Sequence, residues 1–511
     1  MRLGTAFCYA TQRFPDKTAI ISGEGRWTYR ELDARVTRLA GALWERGLRT
    51  DDRVAVLGRN SHRYLELSIA LARIGAWMVP INHRLLVDQI AMRLRHSDAQ
   101  AVVMDEAFLP MVDKLEPDLR QRLRHNVIVL GERGVGGADS YEDLIRGGAP
   151  EPPIVDLSPE HPLYLGYTSG TTGRSKAAIV SHRAIVAGFL YKTLDFGLCA
   201  EDVALNPGYF WHSAPRDFAL LQLYLGGTTI VTPEFDAETC LRLIEEHRVT
   251  NGFFVPTMFR MILDLPNHRD YDVSSMRVLM SGGAPLPTGL KDEVVERFGS
   301  ALHEFYAATE TRIVTTVTAE ELATRRRTVG RPVRDIQVRI LDEDGEPVPV
   351  GEVGEIYLQS PTLFSGYYKD EEKTRAVFRG NWFSLGDMGR LDDDGYLYIV
   401  DRKQDMVISG GENIYPSEVE DVLVQHPAVS DAAVIGVPDP RWGEALKAVV
   451  CLLPGSQASE EDLKQYCAER LADYLKPRSV DFVEELPRNP TGKVLKRELR
   501  ERYWNDGDVR V

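Results

Sequence analysis

A chain of 511 residues exceeds one ordinary domain, and at about 150 residues per domain it predicts about three structural units. Its 43% apolar and 27% charged content is that of a globular protein, and a formal net charge of −15 sets the surface against nucleic acid and anionic membranes. The five cysteines (Cys8, Cys199, Cys240, Cys451, Cys467) are scattered, odd in number and without metal-ligand spacing, which points to small buried residues in a reducing compartment.

Taken in chain order, the first residues lack the apolar core of a signal peptide. The longest apolar region, residues 68–81, is interrupted by Arg73 and falls short of a membrane span, so the expected location is the cytoplasm. In WTYRELDARVTRLAGALWERG (residues 27–47) apolar residues recur at helical spacing after a strand-like start, and Gly47 closes the helix. RVAVLG (53–58) predicts a strand and YLELSIALARIGA (64–76) an amphipathic helix; VVMD and VIVL continue the alternation. That rhythm predicts doubly wound parallel sheets.

LYLG (163–166) reads as a buried strand leading into YTSGTTGRSK (167–176). Gly170 and Gly173 permit turns that let amide N–H groups converge on an anion, and Thr168, Ser169, Thr171 and Thr172 add neutral donors. Lys176 adds a positive charge, so the stretch suits a polyphosphate. The spacing of a nucleoside-triphosphatase P-loop is not met: the two glycines are too close, and Ser175 precedes the lysine. AAIV (177–180) predicts a strand, with a helix beginning near Ser181. Taken alone, the stretch also reads as an ordinary surface loop.

Farther on, SGGAPL (281–286) offers flat, glycine-lined backbone, and YAATE (306–310) sets an aromatic ring beside a carboxylate. After Gly330, short strands and Asp-Gly turns predict an antiparallel or barrel-like piece that includes WFSLGD (382–387). A last unit from about Asp401 holds two helix patterns and two apolar strands, and PTGKVLKRELR (490–500) puts Lys493 on a tight turn. Singly, Glu310 and Asp387 read as solvated carboxylates and Lys493 as one charge on an exposed helix face.

In this order, these stretches resemble the superfamily of acyl- and aryl-CoA synthetases, nonribosomal-peptide adenylation domains and beetle luciferases. The resemblance runs from FPDKTAI (14–20) to LKREL and takes in GRPV (330–333), GEVGEIYLQSPTLFSGYY (351–368) and DMVISGGENIYPSEVE (405–420). It implies an α/β fold, with a large N-terminal domain of two doubly wound sheets plus a small distorted β-barrel (residues 1–403). A small mobile α+β C-terminal domain (404–511) would carry the catalytic lysine.

The implied reaction has two steps: a carboxylate attacks the α-phosphate of ATP, and a thiol, from CoA, then displaces AMP from the acyl-adenylate. Both partners of the first step are anionic and at 4 Å repel by roughly 4 kcal/mol at an effective dielectric of about 20, so cations must bridge them. By resemblance, Lys493 contacts carboxylate and phosphate, Glu310 holds Mg²⁺, and Thr309 and Thr168 lie near the phosphates. The loop Ser169, Gly170, Thr171, Thr172 and Gly173, with Lys176, grips the leaving pyrophosphate. Asp387 and Arg402 fix the ribose hydroxyls, and Tyr306, with Ala307, Gly283, Ala284, Pro285 and Ile399, holds the adenine end.

The implied pivot is Gln404, where relatives carry Asp or Lys; this departure removes a charge without forbidding rotation. Gly410 and Gly411 would line the pantetheine tunnel. Arg84, Tyr474, Lys476 and Arg478 would receive the nucleotide end of CoA. The acyl pocket is implied at His212, Gly282 and Phe305, His212 matching a histidine of synthetases for acids without an α-amino group. Amino-acid-activating relatives carry an aspartate after the aromatic residue, and Trp211 follows Phe210 here. Arg216 and Asp217 stand where relatives show glycine and apolar residues, Phe305 where a small residue is frequent, and Ala307 where glycine is usual.

The expected substrate is a hydrophobic monocarboxylic acid: fatty, aryl or polycyclic. A ligase that loads a carrier protein and a non-catalytic ligand-binding descendant of the fold remain open. The expected partners are the acid, ATP and CoA, with no nucleic acid, no membrane span, and a homodimer left open.

Overall fold

The computed structural model describes residues 2–123, 126–149, 155–168, 176–409, 412–488 and 494–504. The chain forms two compact units. One comprises Met1–Arg326, Pro332–Ile336 and Ser360–Ala376; the other comprises Arg327–Arg331, Gln337–Gln359 and Val377–Val511.

In the first unit, the strands Arg53–Leu57, Trp77–Pro80, Ala101–Met104 and Val127–Val129 pair in parallel. Their residues are almost all buried, as in strands covered on both faces. The helices between them are defined locally. Thr28 and Glu31 form a reciprocal capping box at the start of Tyr29–Glu45, and Gly75, in the left-handed conformation, ends His62–Ile74.

This sheet continues into β1 (Pro162–Thr168) and, antiparallel to it, β2 (Lys176–Ser181). Ser181 then caps α1 (His182–Phe196), its side chain accepting from the Ala184 N–H. The strand AAIV and the helix start near Ser181 therefore occur where the sequence predicts them.

A second sheet contains, in parallel, Thr18–Ser22, Thr228–Val231, Val203–Leu205, Asn251–Phe254, β3 (Val278–Ser281) and β4 (Leu302–Ala308). Antiparallel β5 (Arg312–Thr318) pairs with β4. Before Thr228–Val231 in the chain runs α2 (Ser213–Leu225), its N-cap residue His212. Separate apolar cores lie against the two sheets, one around Phe254, Phe259 and Leu279, the other around Val79, Val102 and Leu165.

In the second unit, Gly354–Gln359 pairs on one side with Gln337–Leu341 and on the other with both Trp382–Phe383 and Asp387–Leu391. This is the antiparallel piece expected after Gly330, distorted by the branched pairing. The C-terminal part is α+β: a long antiparallel ladder, Val429–Asp439 with Gly443–Leu452, is joined in parallel by Ser479–Phe482 and covered by Pro416–Leu423 and Glu460–Ala468. Among the described residues, no helix is long and apolar enough to cross a membrane.

Candidate active site

β1 and β2 pair antiparallel in a two-strand stem that ends with Thr168 and Lys176 as direct cross-strand partners. Ser169, Gly170, Thr171, Thr172 and Gly173 lie outside the described residues. Beside the stem, the β4–β5 turn carries Thr309 and Glu310. The two pieces meet at Gly166, where a β-carbon would come 2.5 Å from the Thr309 methyl. Only glycine allows the turn to lie this close to the strand.

A short edge strand, β6 (Gly366–Tyr367), fastens the turn to the hairpin. It pairs antiparallel with β2, Tyr367 opposite Ala178. Just upstream, the Phe364 N–H donates to the Glu310 carbonyl and the Thr362 hydroxyl to the Thr311 carbonyl. The Tyr367 hydroxyl donates to Glu310 Oε1 at 3.0 Å, and Lys176 Nζ lies 5.1 Å from the centroid of the Tyr367 ring. Burial and the Glu310 carboxylate both push the Tyr367 hydroxyl far above its ordinary pKa, so it remains a donor. Glu310 is only 6% exposed, unlike a solvated surface carboxylate. Tyr367 has no role in the sequence reading, although it lies in the SGYY run at the end of residues 351–368.

On β4, side chains alternate between faces. Phe305 turns into an aromatic cluster, with ring centroids 5.8 Å from Phe218, 5.7 Å from Phe253 and 6.1 Å from Phe196. Its ring lies on Gly282, where a β-carbon would come within 2.9 Å. Tyr306, half-buried, is on the opposite face, next to a bulge that separates it from Ala307 in the pairing with β5. Gly283 has φ +87 and is exposed with Pro285, Ala284 half-buried between them, which leaves flat backbone after β3.

His212 is partly exposed, but its Nε2 is enclosed and has no hydrogen-bond partner. Its ring lies 3.7 Å from that of Trp211. Burial and, secondarily, Arg216 lower its pKa to about 3, so it is neutral at physiological pH. One turn on, α2 buries Arg216 and Asp217. Asp217 accepts from Arg216 at 3.3 Å and from Arg312 Nη1 at 2.8 Å. Arg312 has φ +60, a left-handed backbone that costs a non-glycine residue about 1–2 kcal/mol and is held here by this pairing and by the Tyr164 hydroxyl.

The second unit carries the other expected nucleotide contacts. In β7 (Asp387–Leu391) and β8 (Leu397–Arg402), Asp387 and Arg402 are cross-strand partners. Arg402 Nε lies 3.3 Å from Asp387 Oδ1, and Asp387 is 5% exposed. Ile399 pairs with Gly389 on the same ladder. Gln404 is exposed in the turn after β8. Tyr474, Lys476 and Arg478 share the turn before Ser479–Phe482; Tyr474 is 52% exposed, Arg478 is exposed, and Lys476 pairs with Asp473. Arg84, in the first unit, is exposed beside the Tyr209 ring. Gly410, Gly411 and Lys493 lie outside the described residues.

The model of the AMP-binding enzyme family matches residues 7–368, and that of the AMP-binding enzyme C-terminal domain matches residues 418–493. The chain belongs to the AMP-binding enzyme family. Within its superfamily of acyl- and aryl-CoA synthetases, this AMP-binding enzyme is 38% identical to a feruloyl-CoA synthase of Amycolatopsis sp over 491 residues, 96% of each chain. It is 35% identical to the long-chain-fatty-acid–CoA ligase FadD13 of Mycobacterium tuberculosis over 485 residues, 94% of each. Among solved structures, ATP-bound MatB from Rhodopseudomonas palustris superposes with a TM-score of 0.89 at 31% identity, covering 98% of this chain and 99% of that one.

Proposed function

We propose that this AMP-binding enzyme is an ATP-dependent carboxylic acid–CoA ligase acting on a hydrophobic monocarboxylic acid: fatty, aryl or polycyclic. A carboxylate oxygen bonds to the α-phosphorus of ATP, the bond to the β-phosphate oxygen breaks, and pyrophosphate leaves. The thiol sulfur of CoA then bonds to the acyl carbon, the bond to AMP breaks, and the thiol proton passes to solvent.

The observation that carries this reading is the convergence of Glu310, Tyr367 and Lys176 at the base of a hydroxyl- and glycine-rich hairpin, in a chain of this family. Thr168, Lys176 and the loop 169–173 bind the phosphates, with Thr309 beside them. Lys493 neutralises the approach of carboxylate to phosphate, Asp387 and Arg402 hold the ribose, and Tyr306 stacks on adenine over Gly283, Ala284 and Pro285. His212, neutral and enclosed, lies beside the acyl group with Gly282 and Phe305. Arg84, Gly410, Gly411, Tyr474, Lys476 and Arg478 receive CoA.

Mg²⁺ typically takes one or two protein carboxylates and completes its shell with water and substrate phosphates, a requirement that buried Glu310 meets. The ion would neutralise phosphate charge there. Residues 404–511 act as the mobile domain, with Gln404 as pivot. The free cysteines and acidic surface favour the cytoplasm, and a homodimer is the assembly to be measured by light scattering.

ATP–pyrophosphate exchange over a panel of acids tests the reading. Lys493→Ala should lower exchange on the order of 100- to 1,000-fold while ATP binding persists. Near-normal exchange in that variant ends the role of Lys493, and exchange with amino acids alone ends the substrate class. Turnover with a phosphopantetheinylated carrier but not with CoA would move the acceptor to the carrier.

A further inference from the structure

The turn that carries Thr309 and Glu310 is closed by an arginine in a conformation that most residues avoid. Ala308 and Arg312 are cross-strand partners in the β4–β5 ladder, so Thr309, Glu310 and Thr311 form the turn between them. Arg312 takes φ +60. Glycine adopts this backbone without strain and asparagine with little, whereas an arginine keeps it only where its surroundings enforce it. An arginine at such a place points to a use for its side chain.

That side chain is directed inward. Arg312 is buried, and its Nη1 donates to Asp217 Oδ2 at 2.8 Å and to the Tyr164 hydroxyl. Asp217 lies on α2, and Tyr164 lies on β1 two residues before Gly166, the residue on which the Thr309 methyl packs. One guanidinium thus ties the turn to a helix and a strand that are 95 and 148 positions away in the chain. Asp217 is itself buried and also accepts from Arg216 at 3.3 Å. Thr362 and Phe364 bond to the backbone of Thr311 and Glu310, and Arg312 gives the same turn a second attachment.

We propose that Asp217 is a positioning residue for the phosphate end of the site: it holds Arg312, and Arg312 holds the turn that places Thr309 and Glu310. The inference rests on Glu310 and Thr309 working at Mg²⁺ and the phosphates, as in the function proposed above. Its physical cause is the cost of burying charge. Without the Asp217 carboxylate, Arg216 and Arg312 lose the counter-charge they share, and the guanidinium on the turn gains by moving toward water. Such a movement displaces Glu310, two residues away in the chain.

The test uses the full chain with Asp217→Asn, Arg312→Asn and the double variant, beside Glu310→Gln as the reference. Asparagine at position 312 accepts the left-handed backbone and leaves Asp217 paired with Arg216, so this variant should fold even where Asp217→Asn does not. Titration calorimetry with α,β-methylene-ATP, with and without Mg²⁺, reads nucleotide binding without turnover. Pyrophosphate exchange gives kcat and the KM for the acid.

Expected in both single variants is a loss of about tenfold in the affinity gained from Mg²⁺, with binding of the metal-free nucleotide unchanged. In both, kcat should fall on the order of 100-fold, since a small displacement of a reacting group is costly. The KM for the acid should shift by less than about twofold, and the double variant should be no worse than the worse single one, because the two residues act as a unit. Retention of the Mg²⁺ gain in Arg312→Asn, a loss confined to Asp217→Asn, or losses that add in the double variant would each overturn the inference. So would an equal loss with and without Mg²⁺, the mark of a purely structural role. If Glu310→Gln loses the gain while the other variants keep it, the inference alone falls; if Glu310→Gln keeps the gain, the metal role of Glu310 falls and takes the inference with it.

Discussion

Two buried ionic clusters in the first unit differ in charge balance. In one, Arg35 bonds to Glu66 at 2.6 Å and to Glu142 at 2.8 Å, while Arg63 bonds to Glu142 and to Glu24, each at 2.7 Å. Two arginines face two buried carboxylates, and the partly exposed Glu24 closes the rim. Tyr141 donates to the second oxygen of Glu66. The cluster joins Tyr29–Glu45, His62–Ile74 and Tyr141–Gly147 and leaves little for a ligand to add. In the other, two buried arginines, Arg216 and Arg312, share the one carboxylate of Asp217, and Arg216 also lies on the Tyr164 ring at 4.1 Å. The first balances charge across three helices; the second gives two arginines one carboxylate and makes up the difference with an aromatic face.

The contrast can be tested in order of expected effect. Glu66→Ala removes one of the two carboxylates that Arg35 faces and leaves the Tyr141 hydroxyl without its acceptor there, and should cost about 3–5 kcal/mol in urea unfolding, with no change in the ranking of acids. A cost below about 1 kcal/mol would show that this network is not structural in the sense argued.

Lys192 comes next. Burial lowers its pKa to about 8, with Asp217 pulling it back up and Arg312 pushing it down. An unfolded lysine titrates near 10.4. Between these values the unfolded chain holds a proton that the folded chain has released, so the contribution of Lys192 to stability rises with pH across that window and is lost as pH falls through about 8. The stability of wild type relative to Lys192→Met should therefore climb by about 3 kcal/mol between pH 8 and 10.5. A flat difference would mean that Lys192 is not desolvated.

At Glu310 the carboxylate already has the Tyr367 hydroxyl as a partner, and a smaller effect is expected. Tyr367→Phe removes one donor to Glu310 and should raise the magnesium concentration for half-maximal rate about tenfold, while folding is retained. An unchanged magnesium dependence would separate Tyr367 from the metal.

Smallest in stability is Arg216→Met, which leaves Asp217 paired with Arg312 and should change the unfolding free energy by no more than about 1 kcal/mol in either direction. A loss of 3 kcal/mol or more would place Arg216 with the structural arginines.

Much of the fold was legible because its signals are local. Thr28 three residues before Glu31, a glycine after residue 74 and near-continuous apolar strands each act within a few residues. The βα alternation and the antiparallel texture after Gly330 followed from the same signals. The ordered motifs made the family legible.

Tyr367 was not readable, because its partner Glu310 lies 57 positions away and is reached only when β6 pairs with β2. Arg216 and Asp217 were noticed as departures, but their meaning depends on Arg312, which comes from a strand. Long-range charge balance leaves no periodic trace in a sequence.

The near-contact between Gly166 and the Thr309 methyl has an evolutionary consequence. The two positions cannot drift independently: an alanine at the first fits only with a residue lacking that methyl, such as serine, at the second. Among homologous chains, these positions should therefore vary in concert, and the double change Gly166→Ala with Thr309→Ser should be accepted more readily than Gly166→Ala alone.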